Sequence, residues 1–145
     1  MADILKIILA EDDLDDSFLF QEALNRLHFD VSLRIAEDGE ELIDMLEKKE
    51  KADFIFLDLN MPKKDGYECL RYIRNSKHAN ETAVIILSTS SNTETVNFTY
   101  EQGADLYIKK PDNFNSLVRA LEFCLQHKKN KYPDKRTREE FLLLV

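Results

Sequence analysis

Cysteine is scarce in this 145-residue chain, and the two present, Cys69 and Cys124, lie far apart with no neighbouring cysteines. That spacing gives no support to a disulfide framework or a zinc site, so both are read as reduced, structural residues. The three histidines, His28, His78 and His127, show no ligand spacing and fall in loops or helix ends; none is read as catalytic. No run approaches the roughly eighteen apolar residues that a membrane span needs. The start, Met1-Ala2-Asp3-Ile4-Leu5-Lys6, lacks the basic segment and apolar stretch of a signal peptide, so a cytoplasmic location away from the membrane is expected. Positive charge is in deficit: 20 Lys and Arg against 28 Asp and Glu leave a net charge of −8. That balance excludes a bulk-charge nucleic-acid binder. Internal repeats and low-complexity linkers are absent too, and the length suits a single core.

What is present is organised around Phe54-Ile55-Phe56-Leu57-Asp58-Leu59-Asn60-Met61-Pro62. An apolar run without helical or alternating period, closed by a Pro-Lys-Lys-Asp-Gly turn, reads as a parallel strand buried on both faces. Asp58 interrupts it near its carboxyl end. In open α/β sheets ligands bind at that end, so Asp58 is either a costly buried charge or a working group.

Four further strands are predicted: Ile4 to Ala10, Val31 to Ala36, Ala83 to Leu87 and Asp105 to Lys109. Between them stand helical patterns. Phe18, Leu19, Ala23, Leu24 and Leu27 form the first apolar face, with N-cap candidates at Asp15-Asp16-Ser17. Leu42, Ile43 and Leu46 mark the second helix, and Tyr67, Leu70 and Ile73 the third. The fourth is weaker, from Asn92 to Gln102, with Val96, Thr99 and Tyr100 inward and Gly103 as its stop. Leu117, Ala120, Leu121, Cys124 and Leu125 mark the fifth. Five strands alternating with five helices through short connections predict an α/β doubly wound parallel sheet with helices on both faces.

The chemistry lies at the strand ends. The first strand closes on Glu11-Asp12, the third on Asp58, the fourth on Ser88-Thr89 and the fifth on Lys110-Pro111. If these ends converge, three carboxylates, a hydroxyl and an ammonium share one pocket. Two carboxylates about 4 Å apart repel by about 4 kcal/mol at an effective dielectric near 20, so the cluster calls for a cation or for protonation. Oxygen-only ligands point to a hard ion, Mg²⁺ before zinc or copper. Mg²⁺ commonly completes its shell with phosphate oxygens, which suits the pocket to a phosphoryl group. Asp58 then reads as a nucleophile forming an acyl phosphate, with Lys110 offsetting charge and Ser88 donating a hydrogen bond. Pro111 pushes Lys110 into an extended geometry and leaves the bond between them open to either isomer.

Glu11-Asp12 after an apolar strand, Asp58 in Phe-Leu-Asp-Leu-Asn-Met-Pro, Gly66, Ser88, Tyr107 and Lys110-Pro111 together resemble the receiver domain of bacterial two-component response regulators, of the chemotaxis-receiver type. The resemblance covers about residues 4 to 127. It implies a flavodoxin-like five-stranded sheet in order 2-1-3-4-5 and a phosphoacceptor at Asp58, supplied by a sensor histidine kinase or a phosphotransfer protein. It further implies Mg²⁺ held by Asp12, Asp58 and the backbone carbonyl of Asn60, with Glu11 acting through water. Lys110 would pair with the phosphoryl oxygens, and Ser88 and Tyr107 would form the switch. A half-buried core aromatic is the plainer alternative for Tyr107. The Ser-Thr-Ser-Ser run and the Pro-Lys-Lys-Asp-Gly loop suggest the single-domain regulators that serve bacterial phytochromes.

The expected function is a stand-alone phosphorylation switch, not an enzyme, that signals to a downstream protein target by contact. A Mg²⁺-dependent aspartyl-phosphate phosphohydrolase is the enzymatic alternative, but such enzymes place an acid/base Asp two residues beyond the nucleophile, and here stands Asn60. A phosphorylation-independent adaptor is the third reading, disfavoured by the intact acids, lysine and hydroxyl. Residues 1–127 form the expected domain. Residues 128–145 are read as an extension, basic from Lys128 to Arg138 and apolar from Phe141 to Val145, too short for an output domain. An exposed apolar terminus wants a partner surface, either on its own domain or on a second subunit as a homodimer.

Overall fold

A computed structural model describes residues 4–126 and 141–143. In chain order the elements are β1 (Leu5–Ala10), α1 (Leu14–Asn25), β2 (Val31–Ala36), α2 (Gly39–Glu47), β3 (Phe54–Asp58), α3 (Gly66–Asn75), β4 (Ala83–Ser88), α4 (Thr93–Glu101), β5 (Leu106–Lys109), α5 (Phe114–Gln126) and β6 (Leu142–Leu143). All strand pairs are parallel, in spatial order β2-β1-β3-β4-β5-β6. The five-stranded order 2-1-3-4-5 is thus present, and a two-residue strand from the C-terminal segment extends it beyond β5. Residues 128–140, 144 and 145 of the predicted extension lie outside the described residues.

The unbroken apolar runs follow from two cores. Alternate residues of each central strand point to opposite faces. Ile8, Ala10, Ile55, Leu57, Val84, Ile86 and Tyr107 pack with Leu42, Leu46, Leu70, Ile73 and Val96 of α2, α3 and α4. Ile7, Leu9, Phe54, Phe56, Ile85 and Leu87 pack with Phe20, Ala23 and Leu24 of α1 and Ala120, Leu121, Cys124 and Leu125 of α5. β3 and β4 are buried throughout, whereas the edge strand β2 alternates, as its sequence predicts.

The first helix is rotated relative to its predicted face. Asp13, not a residue of the Asp15–Ser17 cluster, is the N-cap, its carboxylate accepting from the Asp16 N–H at 2.9 Å. With that start Ser17, Phe20, Ala23 and Leu24 face inward, and Phe20 meets Phe56 edge-on at 5.0 Å. Phe18 and Leu19 are therefore exposed, at 60% and 43%, and do not belong to the core face assigned to them. Val96 and Thr99 of α4 are buried, as predicted. Both cysteines are buried. Among the described residues no peptide bond is cis, so Lys110-Pro111 is trans, and no helix is long and apolar enough to cross a membrane.

Candidate functional site: an acidic pocket at the carboxyl edge of the sheet

β1, β3, β4 and β5 run parallel and so deliver their following residues to one edge. There Glu11, Asp12, Asp16, Asp58, Asn60, Thr89 and Lys110 line a common pocket. Each is placed by local backbone. Glu11 leaves β1 with its N–H on the Ala36 carbonyl at 3.0 Å, and its carboxylate accepts from the Asp13 N–H at 3.3 Å. Asp58 ends β3, and its Oδ1 accepts from the Asn60 N–H at 3.1 Å, which fixes the carboxylate at the strand's mouth. The chain then turns under α3. A Cβ on Gly66 would lie 2.6 Å from the Leu59 Cα and 2.7 Å from the Asp58 carbonyl oxygen, so only glycine allows this approach. Lys110 is anchored through its N–H on the Ser88 carbonyl at 2.7 Å.

The side chains converge on one nitrogen. Lys110 Nζ donates to Glu11 Oε1 at 2.7 Å, to Asp16 Oδ2 at 2.9 Å and more loosely to Asp58 Oδ2 at 3.4 Å. An ammonium has three donors, and all three meet carboxylates here. Glu11 and Asp58 are almost wholly buried, at 3% and 5% exposure, while Asp12 is exposed. Carboxylate oxygens of Glu11, Asp12 and Asp58 all lie within 4.8 Å of one another. Four acids against one lysine leave a formal excess of three negative charges.

That excess appears in the titration of the site. The Glu11 carboxyl is pushed up to about 7, first by burial and then by the adjacent Asp58, while Lys110 pulls the other way. For Lys110, burial opposes the charge, but its bonds to Glu11 and Asp16 and the field of Asp58 outweigh it and hold the ammonium above its ordinary range. A divalent cation suits such a donor set. The ligands are all oxygen and two are buried, and their mutual repulsion is what a hard ion removes.

Glu11, Asp12, Asp58 and Lys110, predicted from strand ends, therefore do come together, and Asn60, implied by the family resemblance, lines the same pocket. Ser88 ends β4 as predicted but is buried, and its Oγ accepts from the Ser90 N–H at 3.2 Å; Thr89 stands in the pocket lining. Tyr107 is fully buried, with its hydroxyl donating to the Ser90 carbonyl at 2.6 Å. Burial pushes that phenol upward, and a hydrogen bond with Ser88 holds it back. Asp16 was missed: it reads as part of a helix start, yet it holds Lys110. A usable signal was present, since five acids between residues 11 and 16 exceed what one N-terminus needs.

A doubly wound parallel sheet with acids at the ends of β1 and β3 and a lysine at the end of β5 defines the receiver class of α/β domains. The chain belongs to the response regulator receiver domain family, which it matches over residues 7–122. It is 34% identical over 122 residues to response regulator Rcp1 of Synechocystis sp., across 80% of this chain and 83% of that protein. The fold superposes on the Mn²⁺-bound form of Rcp1 with a TM-score of 0.75 at 34% identity, over 82% of this chain and 90% of that one. It superposes on the phosphorylated cyanobacterial phytochrome response regulator RcpA with a TM-score of 0.80 at 31% identity, over 86% and 94%. The protein is thus a receiver domain of two-component signalling, whose family takes phosphoryl groups from histidine kinases.

Proposed function

We propose that Asp58 is the phosphoacceptor and that the chain is a cytoplasmic, Mg²⁺-dependent switch rather than a turnover enzyme. Residues 1–127 would form the receiver, followed by the extension 128–145. The observation that carries this reading is the convergence of Glu11, Asp16 and Asp58 on Lys110, with Asp12 alongside. A carboxylate oxygen of Asp58 attacks the phosphorus of a phosphohistidine on a sensor histidine kinase or phosphotransfer protein. The new bond is P–O and the bond broken is P–N; the imidazole, already protonated on its other ring nitrogen, keeps the P–N electron pair and leaves as neutral histidine. Lys110 is already within reach of Asp58 and can move its donors from carboxylates to phosphoryl oxygens, while the Asn60 N–H steadies the attacking carboxylate.

Asp12, Asp58 and the Asn60 carbonyl would hold Mg²⁺, with Glu11 reaching it through water. The ion would supply charge neutralisation on the phosphoryl oxygens. The Mn²⁺-bound form of Rcp1 and the phosphorylated form of RcpA support both halves of this assignment. Ser88 and Tyr107 would carry the change to a downstream protein partner. Mass spectrometry after treatment with acetyl phosphate and Mg²⁺ tests the reading. One phosphoryl group should be gained by the wild type and none by Asp58→Asn; equal uptake by both would overturn it.

A further inference from the structure

Phe141 is fully buried, so the apolar segment takes one of the two surfaces its sequence calls for, that of its own domain. Its ring stands edge-on to Tyr100 of α4 at 5.2 Å and to Tyr107 of β5 at 6.1 Å. The two residues after it, Leu142 and Leu143, pair in register with Tyr107 and Ile108. Tyr107 is thus pinned at both ends. Its ring is closed in by Phe141, and its hydroxyl donates to the Ser90 carbonyl, in the loop that follows Ser88. The Ser90 N–H in turn donates to Ser88 Oγ. One continuous set of contacts runs from the C-terminal strand to the residue beside the phosphoacceptor pocket. A well-packed ring leaves its site only if its neighbours move, and the neighbour here is Phe141.

We propose that Phe141–Leu143 is an intrachain latch that holds Tyr107 inward and so sets the Ser88–Ser90 loop for the phosphoryl group. Seating of β6 and modification of Asp58 then favour one another. The sign follows from preorganisation. A loop already restrained by the Tyr107 hydroxyl has less freedom to lose when Ser88 engages a phosphoryl oxygen. Conversely, a loop fixed by that contact gives the Tyr107 hydroxyl a steadier acceptor. Coupling between two sites must be the same in both directions. The inference rests on Asp58 as phosphoacceptor.

The test is titration of the full chain with beryllofluoride, an acyl-phosphate mimic, in saturating Mg²⁺. Phe141→Ala should weaken binding about five- to tenfold, the lower part of the usual range for coupled sites. Phe141→Leu, which keeps an apolar side chain for folding, should weaken it in the same direction. In a Tyr107→Leu background, loss of the Phe141 ring should have no further effect, an outcome that a merely structural role would not produce. In the wild type, beryllofluoride should slow amide exchange in β5 and β6. Wild-type affinity in a folded Phe141→Leu chain, or faster exchange in β6 on binding, overturns the latch alone. Failure of the wild type to bind overturns the phosphoacceptor reading and the latch with it. A coupling that disappears on dilution would place the strand on a second copy and overturn the intrachain assignment.

Discussion

Two cations sit at opposite edges of this sheet. At the carboxyl edge is Lys110, and at the amino edge is Arg74, at the end of α3. They are equally buried, with side chains 18% and 20% exposed. Arg74 donates to the carbonyls of Gly103, Asn80 and Thr82 and to Asp105 Oδ2, all between 2.8 and 3.0 Å. Asp105 Oδ2 also accepts from the Val84 N–H at 2.8 Å. One positive charge there meets one carboxylate and several neutral acceptors, and the planar fork ties the starts of β4 and β5 to α3. Lys110 instead faces three carboxylates, with a fourth nearby. Burial does not distinguish the two; charge balance does. The balanced edge is a brace, and the unbalanced edge is a site waiting for positive charge.

Removing each cation should break the comparison open. Lys110→Ala has the largest expected effect. It leaves Glu11 and Asp58 buried and facing each other, which should cost about 3 kcal/mol in metal-free urea unfolding. Phosphoryl uptake should fall by about 10²- to 10³-fold, as for loss of a donor aimed at developing charge. Mg²⁺ should restore much of the stability but not the uptake rate. Unchanged uptake would remove Lys110 from the mechanism.

The next effect is pH dependence. The folded Glu11 carboxyl is raised from 4.5 to about 7, so the folded chain holds a proton that the unfolded chain releases. Its contribution to stability is fully present below about pH 4.5 and is lost as pH rises through 7, by about 3 kcal/mol at about 1.4 kcal/mol per pH unit. Metal-free protein should therefore melt at lower temperature at pH 7.5 than at pH 5. The rise in Tm produced by Mg²⁺ should grow over the same interval, because the ion favours the ionised carboxylates. Glu11→Gln should flatten the metal-free profile. Lys110 titrates far above this window and does not contribute to it.

Arg74→Ala supplies the contrast. It breaks a partly buried pair and strands three carbonyls, at a cost of about 2 kcal/mol in the same unfolding experiment. Phosphoryl uptake by the folded fraction should stay within about a factor of two of wild type. A large loss of uptake would mean that the brace also positions the site.

The strands and the strand-end residues were legible because β3 and β4 are buried on both faces, so any polar residue there stands out. Asp58 announced itself in that way, and Lys110 did so by standing before Pro111 at the end of the short strand β5. The orientation of α1 was not legible, because several consecutive acids can each cap a helix and the choice among them rotates Phe18 and Leu19 out of the core. Asp16 was obscured by the same ambiguity. Ser88 was found by position, but its hydroxyl's acceptance of the Ser90 N–H depends on the turn after β4, which no periodicity encodes. β6 was hidden for another reason: two paired residues are too few to show a strand pattern, and Phe141 finds its partners, Tyr100 and Tyr107, only in three dimensions.

Asp16 sharpens the comparison at its smallest scale. Its pair with Lys110 is short, at 2.9 Å, yet its side chain is 42% exposed, whereas that of Glu11 on the same nitrogen is 3% exposed. Water and salt screen the outer pair, and exposed pairs of this kind contribute about 0.2–1 kcal/mol. Asp16→Asn keeps an acceptor oxygen for Lys110 and lowers the formal excess of negative charge by one. Stability should change by less than about 1 kcal/mol, and the difference from wild type should shrink as salt is raised. Phosphoryl uptake should change by less than about threefold, since Lys110 keeps Glu11 and Asp58 as partners. A loss on the scale expected for Lys110→Ala would instead place Asp16 among the groups that aim the ammonium at the phosphoryl oxygens, and the acidic edge would need all of its carboxylates rather than an inner set with an outer tether.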